Sequence, residues 1–81
     1  MAHIPRVGHV VYALVASGYP PGAAARGVYA QDCSDDTAWL VCPGGISIRC
    51  LKGGMLVVPL EDYTEDEQKL SRHIYHPGSM A

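Results

Sequence analysis

Residues 7–16, Val-Gly-His-Val-Val-Tyr-Ala-Leu-Val-Ala, are the longest apolar run in the sequence. β-branched and aromatic residues dominate it, so it reads as a strand. Its odd positions (Val7, Val11, Ala13, Val15) and its even positions (Val10, Tyr12, Leu14, Ala16) are both apolar. A strand of that kind needs cover on both faces. The rest of the chain has to supply that cover, and this limits what the chain can fold into.

Eighty-one residues make a single domain, 1–81. A chain this short is marginally stable alone, and association is a common remedy. Charged residues are 17% of the total, below the usual ~25%, so part of the surface is suited to contact. The net charge is −2 with no basic cluster, which disfavours bulk nucleic-acid binding. Cys33, Cys42 and Cys50 are odd in number and form no Cys-x-x-Cys pair. That pattern argues against a disulfide framework and for a reducing, cytoplasmic setting. Arg6, the apolar run and Ala23-Ala24-Ala25 imitate a secretory signal, but His9 and Tyr12 interrupt the run and Pro20-Pro21 precede the alanines. No apolar stretch approaches the ~20 residues of a membrane span, so no membrane role is expected.

Downstream, Ser17 to Gly22 is a Pro/Gly loop and Ala23 to Arg26 has room for one helical turn. Further strands are expected at 28–33, 37–42, 46–52 and 55–60, with Pro59 marking an edge. Gly44-Gly45 and Gly53-Gly54 read as two-residue hairpin turns. That register sets Val41 opposite Ile48, Trp39 opposite Cys50, and Cys50 opposite Val57. These residues then form the core face. Leu40, Leu51, Leu56, Val58 and Leu60 fall on the other face, too apolar to stay wet, and are the expected interface of a homo-oligomer. A slip of one residue would exchange the two faces.

Thr64-Glu65-Asp66-Glu67 is a capping box, with acidic residues where the helix dipole favours them. A helix over 65–75 follows, closed by Pro77-Gly78, with a narrow stripe of Leu70 and Ile74 and with Tyr63 leading in. Residues 78–81 read as a tail. The expected fold is mainly β: a small five-stranded antiparallel barrel or bent sheet of SH3-like size, with one short C-terminal helix.

Few residues suggest chemistry. The cysteines and His9, His73 and His76 match no zinc spacing, so no metal is expected. Asp32, Asp35 and Asp36 surround a turn, which Asx-turn chemistry explains as readily as acid–base work. No nucleophile–base signature or phosphate loop stands out, so neither an enzyme nor a cofactor is expected. Arg72, His73, Tyr75 and His76 cluster at the helix C-terminus. They either complement the helix dipole or, joined by Arg26, hold an anion or nucleotide.

Val7-Gly8-His9-Val10-Val11-Tyr12, a Gly/Pro loop and Arg26-Gly27-Val28, with the tail Ile74-Tyr75-His76-Pro77, resemble small uncharacterised phage-encoded proteins of actinobacterial hosts. Those tend to open with a Gly-x-Val-His-Tyr-Val-like strand and close with a Trp-His-Trp-Pro-like tail. The resemblance covers the two chain ends. It implies a small mobile-element protein of a bacterial cytoplasm and carries over no catalytic residue. The expected function is a non-enzymatic interaction module that self-associates or binds a host protein. The alternative is a small-ligand binder at the C-terminal cluster.

Overall fold

The apolar run becomes β1 (Val10–Leu14), an interior strand of a five-stranded antiparallel sheet. The structure is a computed structural model and describes residues 4–16, 23–34 and 36–75, Tyr75 by its backbone alone. β2 (Ala24–Asp32), β3 (Thr37–Cys42), β4 (Ile46–Leu51) and β5 (Leu56–Val57) complete the sheet, in the order β4-β3-β2-β1-β5. A 3-10 helix (Leu60–Asp62) leads into α1 (Glu65–Tyr75). The protein is thus mainly β with one short C-terminal helix. The expected loop at Ser17 to Gly22 and tail at 78–81 lie outside the described residues.

β1 receives its cover from two sources. Val11, Ala13 and Val15 point into the curl of the sheet and pack with Tyr29, Ala38, Leu40 and Cys50. Val10 points to the other side and packs with Val28 and Val58 beneath Tyr63, Leu70 and Ile74. The narrow stripe of α1 therefore covers one patch of the sheet, at one end of β1. Towards the other end Tyr12 and Leu14 stay about two-fifths exposed, at 44% and 41%.

The β3–β4 register differs from the expected one by one residue. Trp39 lies opposite Arg49, Leu40 opposite Ile48, Ala38 opposite Cys50, and Cys42 opposite Ile46. The turn is Pro43-Gly44-Gly45, with the Gly45 amide donating to the Cys42 carbonyl at 3.0 Å. Gly44 and Gly45 take φ of +102° and +87°, which favours glycine at both positions. Proline has no N–H to give a ladder, so the strand closes at Cys42 and Pro43 joins the turn. The slip turns β3 over relative to β4, whose Ile48 and Cys50 keep the core face. Leu40 is fully buried in the core, not part of an interface, and Trp39 faces outward at 36% exposure. Cys42 and Cys50 fall on the same side of the β3–β4 ladder by alternation, where the other register set them apart.

The Gly53-Gly54 hairpin does not form. β5 pairs with β1 instead, Val57 with Val11 and Leu56 with Tyr12, so Val57 never faces Cys50. The end of β4 runs along the same edge of β1, through a Val15–Cys50 bridge and the Ala16 amide donating to the Arg49 carbonyl at 2.9 Å. β1 carries a row of peptide groups that need partners, and β4 and β5 satisfy it in succession. The sheet bends back on itself without closing. Residues 24–26 of the helical turn expected over 23–26 extend β2, and after a two-residue β5 only the Val58 amide still bonds to β1, with Pro59 and Leu60 leaving the sheet.

This packing separates two substitutions that the sequence alone ranks the other way round. Leu40→Ala should cost about 2–5 kcal/mol in chemical denaturation, the range for a buried leucine. Trp39→Ala should cost less than Leu40→Ala. Equal losses would contradict the observed register.

Candidate functional site

The polar centre of the molecule is Arg26. β2 sets it opposite Tyr12 of β1, on the side of the sheet that α1 covers. Its Nε donates to Glu67 Oε2 at 2.8 Å, and its Nη2 donates to Glu67 Oε1 and to the Asp62 carbonyl, each at 2.8 Å. Nη1 donates to the Tyr12 hydroxyl at 2.8 Å, with the guanidinium 5.3 Å from the Tyr12 ring centroid. Glu67 is only 4% exposed and also closes the capping box. The Thr64 amide donates to its Oε1 at 2.9 Å, and its own amide donates to Thr64 Oγ1 at 3.1 Å. The bond to Arg26 holds the Glu67 carboxyl below the usual carboxylate range, against the opposing effect of burial. Arg26 is raised in turn, chiefly by the bond to Glu67.

Arg26 is therefore committed to the fold and does not join the C-terminal cluster expected to bind a ligand. Arg72 and His73 are neighbours in sequence but point into different clefts. Arg72 lines one of about 370 Å³ with Leu60, Tyr63, Gln68 and Ser71. His73 lines one of about 490 Å³ with Lys69, Asp66, Leu70 and the turn from Cys42 to Gly45. Successive helical residues diverge by about 100°, which separates the two side chains. The Tyr75 side chain and His76 lie outside the described residues.

The expected interface residues also divide. Leu40 and Val58 are intrachain core at 0% and 3% exposure, Val58 because its amide donates to the Val10 carbonyl at 2.8 Å and brings it under the helix. Leu51 is partly exposed on β4, while Leu56 and Leu60 stand out at 65% and 73%. Leu60 borders a second cleft of about 300 Å³, formed with His9, Val57, Val58, Pro59 and Tyr63. Tyr63 forms a shared wall: it lines the clefts on both sides of Leu60, and its hydroxyl accepts from the Val10 amide at 3.1 Å. The sequence marks Leu56, Pro59 and Leu60 as interface but not His9 or Tyr63; the β1–β5 pairing brings up His9, and the 3-10 helix turns Tyr63 beside Leu60.

The Tyr29 hydroxyl donates to Asp32, which also pairs with Lys52 at 3.2 Å. Burial and then that bond push Tyr29 up to about 12, and the same bond holds Asp32 below its ordinary value. Burial raises the Cys42 and Cys50 thiols, which reduces their thiolate character at neutral pH. Among the described residues no group of three or more His, Cys, Asp or Glu side chains is placed to hold a metal, and no helix is long and apolar enough to cross a membrane.

No protein-family model, curated protein or solved structure matches this chain.

Two outcomes follow from the Arg26–Glu67 pair. Arg26→Met strands a buried carboxylate and should cost about 3 kcal/mol near neutral pH. Glu67 is depressed in the folded state, so its contribution is complete above the ordinary carboxylate pKa and is lost as pH falls through the lower folded value. The acid limb of stability against pH should therefore be steeper in the wild type than in Arg26→Met, as read by urea titrations at several pH values. Thr64→Ala, which removes only the cap, should cost about 0.5–2 kcal/mol by the same titrations.

Proposed function

We propose that this protein is a non-enzymatic interaction module whose contact surface is the free edge of the sheet around Leu56 and Leu60. The observation that carries the reading is the exposure of these two leucines on either side of Val57-Val58-Pro59, next to the cleft bounded by His9 and Tyr63. Large apolar side chains flanking a cleft are a feature of contact surfaces. Pro59 gives no N–H, so a partner docks against side chains here and does not extend the sheet. The partner is a protein: a second copy or a host protein. Mobile-element origin and a cytoplasmic setting belong to the same proposal. The resemblance of the chain ends supports the first, and three free thiols support the second.

A small-ligand reading retains one specific observation. His73 and Lys69 face the bare peptide of Gly44 and Gly45 across the cleft of about 490 Å³, a volume within the range of ligand sites. It loses Arg26 to the ion pair.

Photo-crosslinking in producing cells tests the main reading. A photoreactive residue at position 56 or 60 should give a discrete protein adduct, and one at Asp36, in the β2–β3 turn, should give none. Absence of adducts from both leucine positions would overturn the assignment of this surface.

A further inference from the structure

Resting on that reading of the Leu56–Leu60 surface, we infer that its occupant is a second copy of this chain, docked about a twofold axis beside Leu60.

The surface carries both a projection and the hollows to receive one. Leu60 projects from the 3-10 helix at 73% exposure and stands between two clefts. One, of about 300 Å³, has apolar walls from Val57, Val58, Pro59 and Tyr63. The other is lined by Tyr63, Gln68, Ser71 and Arg72. A contact with a different protein needs only one of these shapes on this chain. A twofold contact needs both on the same patch, because residue i of each copy meets residue j of the other. In such a pairing, Leu60 of each copy enters the cleft between Tyr63 and Arg72 of the other, which brings the adjacent Glu61 to that Arg72.

The charges around the patch are self-complementary in the same sense. Glu61 follows Leu60 directly and is exposed, and Arg72 borders the cleft on the α1 side and is exposed. Among the described residues neither is ion-paired. Acid and base on one patch repel nothing across a twofold axis when each meets its opposite in the other copy. Glu61 of one copy then pairs with Arg72 of the other, twice per dimer. This pairing sets register, and Leu60 supplies the apolar contact.

Sedimentation of purified protein over micromolar to millimolar concentrations tests the pairing. The wild type should dimerise reversibly. Glu61→Arg and Arg72→Glu should each weaken the dimer by about tenfold or more, and the double reversal should recover most of the loss, as coupled charges require. Leu60→Asp, at an exposed position, should give a folded monomer. A wild type that remains monomeric throughout, or a dimer indifferent to all of these changes, would overturn the inference. A monomeric wild type that still gives crosslinks to another protein from positions 56 and 60 would overturn the second copy as occupant while leaving the surface reading in place. Loss of crosslinks altogether would remove both.

Discussion

The ion pair between Arg26 and Glu67 joins parts of the chain 41 residues apart, and the arrangement of helix on sheet depends on it. The Glu67 carboxylate does three things at once. It receives the Thr64 amide and so starts α1, it neutralises a guanidinium that would otherwise lie over the sheet without a counter-charge, and it fixes where along β2 the helix begins. Arg26 in turn reaches the Tyr12 hydroxyl and the Asp62 carbonyl, so β1, β2, the 3-10 helix and α1 meet at one side chain. A bidentate guanidinium–carboxylate pair is directional in a way that apolar packing is not. Leu70 and Ile74 supply apolar cover to Val10 and Val28, and the pair defines the position from which they do so.

Local chemistry was legible in the sequence, and long-range pairing was not. The capping box at Thr64 and Glu67 was readable because both partners lie within one helical turn. The spans 37–42 and 65–75 were readable because a Gly-rich turn and a capping box bound them. The fate of Gly53-Gly54 was hidden, because two glycines permit a reversal without requiring one, and the competing partner, β1, lies some forty residues earlier. The β3–β4 slip goes with Pro43, which has no N–H for the ladder and joins Gly44 and Gly45 in the turn. In that register Leu40 lies in the core and Trp39 outside it.

The same limits apply to the candidate site. Leu56 and Leu60 could be read as exposed apolar residues near an edge, since Pro59 announces one. Val58, between them, could not be distinguished from them by composition, and only its ladder bond to Val10 turns it under the helix. Arg26 could be recognised as a cation, but a sequence cannot show that its donors are already engaged. Arg72 and His73 form one cluster in a line of text and face two clefts on a helix.

The pairing of β1 with the last strand also sets an order of events during synthesis. β1 is made before every other strand of the sheet, yet the groups that complete it, Leu56 and Val57 at its edge and Leu70 and Ile74 over Val10, follow it by more than forty residues. Until those residues leave the ribosome, the Val11–Tyr12 part of the most apolar stretch has β2 on one side and an open edge on the other. Contacts between distant segments form slowly, and a strand kept waiting with an open edge is prone to mispairing. Tyr12 and Leu14, the part of β1 that the finished fold leaves least covered, are the apolar surface that this delay leaves open longest and that the last segments never fully close.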